Sequence, residues 1–207
     1  MRGIGMGDGF FVVVALGDSL TAGYRTRDPY AIDPRVPYPA QLGSLLRKRL
    51  EGKATQVFVV NAGVNGDSTD GMLWRFRQAA ASERPDVVVV WGGINDLGAT
   101  RDPEHVMGNL VRLYDSCGEI GATPVACTLT PTRRTSPNMK RLNDMIRFHA
   151  SEKGVILADL FPGLADGEGN LQQEYSDDGA HLTPTGYRRV AEIIFGSIAP
   201  LIEKVEP

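Results

Sequence analysis

The sequence predicts an α/β protein, a parallel sheet covered by helices on both faces. Three observations carry that expectation. Five short apolar runs are nearly continuous rather than alternating, as in strands buried on both faces. Segments with apolar residues at helical spacing lie between them. The two patterns alternate along the chain, and such a succession closes as a parallel sheet with right-handed crossovers.

The predicted strands cover residues 10–16, 56–61, 86–91, 123–129 and 155–159. Leu42, Leu45, Leu46 and Leu50 share one helical face, as do Val106, Leu110, Leu113, Tyr114 and Cys117. Met139, Leu142, Met145 and Ile146 repeat the spacing, and Tyr187, Val190, Ile193, Ile194 and Leu201 close the chain with it. Three helices are expected to start at a polar cap followed by proline: Asp102-Pro103, Ser136-Pro137 and Thr183-Pro184. Proline suits the first helical position because the N–H it lacks would have no partner there.

Length and composition bound the rest. At 207 residues, with 42% hydrophobic and 23% charged residues, one domain spanning 1–207 with a sizeable core is expected. A net charge of -3, from 22 Lys+Arg against 25 Asp+Glu, gives no reason to invoke nucleic acid. No apolar stretch approaches the roughly 18 residues of a membrane helix. Arg2 followed by the run 10–16 faintly resembles a secretory signal, but cleavage there would remove the first strand, so a cytoplasmic location is expected. Cys117 and Cys127 form no CxxC pair, and with three histidines in the chain a zinc cluster is not expected; the two cysteines read as small buried hydrophobes. The glycines of 3–9 precede a strand instead of following one, so they do not form a dinucleotide loop.

In parallel sheets of this class, ligands bind at the carboxyl ends of the strands. After the first strand stands Gly17-Asp18-Ser19-Leu20-Thr21, which places a serine on a turn with its own N–H free for an anion. Thr21 breaks the G-x-S-x-G pattern of an α/β-hydrolase elbow. After the second strand comes Asn61-Ala62-Gly63-Val64-Asn65-Gly66, and after the third Gly92-Gly93-Ile94-Asn95-Asp96, whose carboxamide can donate to an oxyanion. Asp178-Gly179-Ala180-His181 precedes the last helix, with an aspartate placed to orient an imidazole. Taken singly, each has an ordinary reading as a turn serine, a glycine turn, an Asx turn or a loop histidine. His105 and His149 read as structural.

These four blocks, in this order, resemble the SGNH (GDSL-type) hydrolases, a family of esterases, lipases and thioesterases. The resemblance spans Gly17 to His181, most of the chain. It implies a flavodoxin-like three-layer α/β/α sandwich with a five-stranded parallel sheet. It further implies that Ser19 is the nucleophile, His181 the general base and Asp178 its orienting acid. The oxyanion hole would comprise the N–H groups of Ser19 and Gly63 and the side chain of Asn95. The expected partner is a small ester, thioester or lipid-like substrate, with no cofactor and no metal. A metal-dependent phosphoesterase, faintly suggested by Gly17-Asp18 and Asn95-Asp96, and a non-catalytic acyl- or carbohydrate-binding module are the alternatives. Arg25, Arg27, Arg101, Arg133 and Arg134 follow the strands and are expected to rim the site, where they would attract an anionic ester unless neighbouring acids neutralise them.

Overall fold

The computed structural model describes residues 9–29 and 33–203, so most of the glycine-rich stretch 3–9 lies outside the described residues. Five parallel strands form one sheet in the order β2-β1-β3-β4-β5: β1 (Phe10–Gly17), β2 (Gln56–Gly63), β3 (Val87–Trp91), β4 (Thr123–Cys127) and β5 (Ile156–Ala158). Helices α2 (Tyr38–Arg49) and α8 (Pro184–Glu203) pack together, and α3 (Thr69–Ala79), α5 (Pro103–Glu119) and α6 (Pro137–Lys153) form a second contacting group. Short helices α1 (Ser19–Ala22), α4 (Ile94–Gly98) and α7 (Leu160–Leu164) follow β1, β3 and β5 directly. Helices therefore cover both faces, and the three-layer expectation holds. Among the described residues no helix is long and apolar enough to cross a membrane.

Burial explains the runs of the central strands β1 and β3. Every residue of β3 is buried, as is the second half of β1 from Val13 to Gly17. β2 differs because it lies at the sheet edge: Phe58 is 49% exposed and touches Phe10 ring to ring. A continuous apolar run does not distinguish an edge strand from a central one when large residues cover each other. Strand ends also shift by side-chain competition. Asp86 precedes β3 because its carboxylate accepts the Val12 N–H. β4 stops at Cys127 because the Asn143 carboxamide takes both the N–H and C=O of Leu129.

Two of the three predicted caps form. Ser136 accepts the Met139 N–H and Thr183 accepts the Gly186 N–H, whereas the Asp102 side chain makes no cap bond. Cys117 and Cys127 are both free and buried, and burial pushes the Cys117 thiol up to about 12. Tyr38 meets Trp91 edge-on at 5.6 Å between ring centres, anchoring α2 beneath the end of β3.

The chain leaves β1 for β2 on one side and returns through β3 on the other, so the sheet's switch point lies at the carboxyl end of β1. Space there is tight. A Cβ on Gly17 would stand 2.4 Å from the Trp91 carbonyl and 2.2 Å from Thr21 Oγ1. Gly108, within α5, has open space around it. We expect Gly17→Ala to destabilise the fold by at least about 1–3 kcal/mol and Gly108→Ala to stabilise it by about 0.5–1 kcal/mol. Urea unfolding midpoints with unchanged m-values measure both; equal effects would show that the β1 end is looser than described.

Candidate active site

Asp18 shapes the turn after β1. Its carboxylate accepts the Leu20 N–H and its carbonyl accepts those of Thr21 and Ala22, which winds α1 and sets Ser19 at the first helical position. The Ser19 N–H has no protein acceptor among the described residues. Its side chain is nearly buried, with Oγ 3.2 Å from His181 Nε2.

The loop before α8 supplies the imidazole and its acid. An antiparallel bridge between Ser176 and Leu182 pinches this loop closed. Inside it, Asp178 Oδ1 accepts the N–H groups of Ala180 and His181, each at 2.8 Å, while Oδ2 lies 2.8 Å from His181 Nδ1. The Thr26 hydroxyl donates to the same Oδ2. Burial alone would raise the Asp178 pKa, but the bonds from Thr26, His181 and the two backbone groups outweigh it and hold the carboxyl well below the usual range. The contribution of this carboxylate to stability is present above about pH 4 and is lost as the pH falls further. Tyr24 stands edge-on to the imidazole at 4.6 Å, and its carbonyl accepts the Tyr187 hydroxyl.

The loops after β2 and β3 meet beside this chain. Asn95, in the first turn of α4, donates one side-chain N–H to the Asp67 carbonyl at 2.8 Å. The neighbouring Asp96, fully buried, accepts the Thr69 N–H and hydroxyl and so fixes the start of α3. Gly63 is arranged differently from the sequence expectation. Its N–H is already donated to Asn61 Oδ1 at 3.0 Å, and a Cβ there would lie 2.1 Å from the Ala22 nitrogen. This glycine serves the close approach of β2 to α1. Gly66, three residues on with φ +76°, has no protein acceptor for its N–H among the described residues.

Ser19, Asp178 and His181 are thus brought together, and Asn95 is joined to the loop after β2. Asp177 points elsewhere, pairing with Arg27 at 3.1 Å. The arginine rim is neutralised in part: Arg25 pairs with Asp28 and Arg101 reaches Asp70, while Arg133 and Arg134 form no ion pair among the described residues. His105 also binds Asp70, and His149 packs against Tyr114, both away from Ser19. Sequence patterning missed Thr26, Tyr24 and Ser176, which act through contacts that no local motif announces, and it missed α3 together with Arg75.

A serine, an imidazole and a carboxylate thus stand in series near the carboxyl edge of a doubly wound α/β sheet. The chain belongs to the GDSL-like lipase/acylhydrolase family, whose model matches residues 15–189. Several of the proteins this chain resembles are named as esterases, lipases or acylhydrolases. An arylesterase from Vibrio mimicus is 27% identical over 195 residues, covering 88% of this chain and 85% of the relative. The alpha1 subunit of bovine platelet-activating factor acetylhydrolase IB is 27% identical over 154 residues, covering 69% of this chain but only 64% of its own length. A protein of the lipolytic G-D-S-L family from Desulfitobacterium hafniense superposes with a TM-score of 0.77 at 20% identity, over 90% of this chain and 98% of that one.

Asp18 carries a prediction of its own. Burial raises its carboxyl from the usual 3.8 to about 7. Between those values the folded chain holds a proton that the unfolded chain has lost, so this group makes stability fall as pH rises from about 4 to 7. Asp18→Asn keeps the acceptor for Leu20 without the titration. Its stability relative to wild type is expected to improve across that range, as read by urea midpoints at a series of pH values. A constant difference would mean that Asp18 ionises at its usual pH.

Proposed function

We propose that this chain hydrolyses carboxylic esters or thioesters through an acyl-enzyme on Ser19. The observation that carries the proposal is the Ser19–His181–Asp178 series, with contacts of 3.2 and 2.8 Å. With the Nδ1 proton directed at Asp178, Nε2 is the acceptor for the serine hydroxyl. Ser19 Oγ bonds to the acyl carbon as its proton passes to Nε2, giving a tetrahedral oxyanion. Collapse of that intermediate breaks the bond to the leaving group, which takes the proton from His181. Water then repeats the sequence on the acyl-enzyme and releases the acid. Asp178 stabilises the imidazolium of both steps and holds the ring in one orientation.

The oxyanion needs preorganised donors. The unpaired Ser19 N–H is one, and the Asn95 carboxamide is a second. For the third, the Gly63 N–H would first have to leave Asn61, whereas the Gly66 N–H is unengaged, so the loop after β2 contributes through Gly66 with Gly63 as the packing residue beneath it. Relatives named an arylesterase and an acetylhydrolase subunit support an ester as substrate. Among the described residues no three His, Cys, Asp or Glu side chains come together as a metal-ligand group.

An active-site-directed organophosphonate should add once, to Ser19, and Ser19→Ala should abolish both labelling and turnover; intact-mass and peptide mapping decide this. An adduct on another residue, or activity that survives the substitution, would refute the assignment. For Asn95→Ala we expect kcat to fall by roughly 10²–10³-fold with KM little changed, because the amide serves the charged oxygen of the transition state. Steady-state kinetics on a soluble aryl ester checks it, and a raised KM at normal kcat would make Asn95 a substrate-binding group instead.

A further inference from the structure

Arg75 lies in α3 with its side chain largely buried, directly after Trp74, which is 87% exposed. Its guanidinium divides its donors among three separate pieces of backbone and loop. Nη2 donates to the Gly17 carbonyl at the end of β1 at 2.9 Å, and Nη1 donates to the Ala62 carbonyl at the end of β2 at 2.8 Å. Nε donates to Asp67 Oδ2 at 2.7 Å. The carbonyl of that same Asp67 accepts the Asn95 amide. One rigid cation therefore touches the strand leading to Ser19, the strand leading to the glycine loop, and the residue that holds Asn95.

We infer that Arg75 is a positioning residue for acyl transfer, fixing the spacing between the Ser19 turn and the oxyanion donors. It acts through Gly17 on the nucleophile and through Asp67 on Asn95. Only a planar fork suits this role, because its donors point in fixed directions, whereas a lysine ammonium is a point charge on a flexible stem. The inference rests on Ser19 being the nucleophile. If Arg75 merely ties β1 to β2, its loss would lower stability without selectively affecting the chemical step.

The test is a double-mutant cycle. Arg75→Met, Asn95→Ala and the pair are assayed on a soluble aryl ester, with active sites counted by phosphonate adduct at Ser19. Arg75→Met is expected to lower kcat by about 10- to 100-fold with KM within about threefold, and to cost far less in the Asn95→Ala background. Arg75→Lys should recover only part of the loss. Arg147→Met serves as control: Arg147 binds Asp159 just after β5, three strands away from β1, so its loss should lower the melting temperature and spare kcat. Should Arg75→Met fail to fold, Asp67→Asn weakens the same link while keeping the Asp67 carbonyl, and its effect must likewise shrink when Asn95 is absent. Wild-type kcat in folded Arg75→Met, or fully additive losses in either cycle, would overturn the inference. Absence of a Ser19 adduct on active wild-type protein would overturn the nucleophile assignment instead, a result visible before any Arg75 variant is made.

Discussion

A parallel sheet ends in a row of carbonyl and amide groups that have no further strand to bond, and buried groups of that kind must be satisfied locally. At the carboxyl end of β1 this requirement organises everything nearby. The Gly17 carbonyl takes both the Val64 N–H and the Arg75 guanidinium, and the Asp18 carbonyl takes two N–H groups of α1. Among the described residues the Ser19 N–H beside them has no protein acceptor. The hydrogen bonds that close the sheet edge are thus the same ones that leave the Ser19 N–H available to an anion.

The His181 loop follows a similar rule. Asp178 bonds to Thr26, to two backbone amides and to the imidazole, so it is held by the loop it helps to fold. Ser176 secures the other side, donating to the His181 carbonyl at 2.6 Å while accepting the Gly179 N–H. A short loop without regular secondary structure gains a defined shape because each polar group has a partner close at hand. Rigidity at this point comes from side chains more than from the sheet.

Much of this was legible in the sequence, for reasons that differ from element to element. The strands announced themselves as apolar runs, and the helices with wide apolar stripes, such as Val106, Leu110, Leu113 and Cys117 in α5, did the same. Helix α3 did not, since it buries only Thr69, Met72 and Phe76 and presents Trp74 to solvent. Ser19 and Asn95 were legible as motifs at strand ends, and Asp178 and His181 as a motif before the last helix. Gly63 was legible as a needed glycine, but not the reason for the need: pattern alone does not separate an amide used for a ligand from a missing Cβ required by α1. Thr26 and Arg75 left no local signal, because their partners lie in distant parts of the chain or are main-chain carbonyls, which every residue carries.

The two tryptophans sit in opposite surroundings. Trp91 is buried at the end of β3 against Tyr38, and Trp74 stands almost fully in water one residue before Arg75. Their fluorescence should accordingly separate into a blue-shifted component that a soluble quencher cannot reach and a red-shifted one that it can. The first reports whether the core is intact. The second sits on the helix that carries the guanidinium, so movement of α3 can be followed optically without attaching a dye and without confusing it with unfolding.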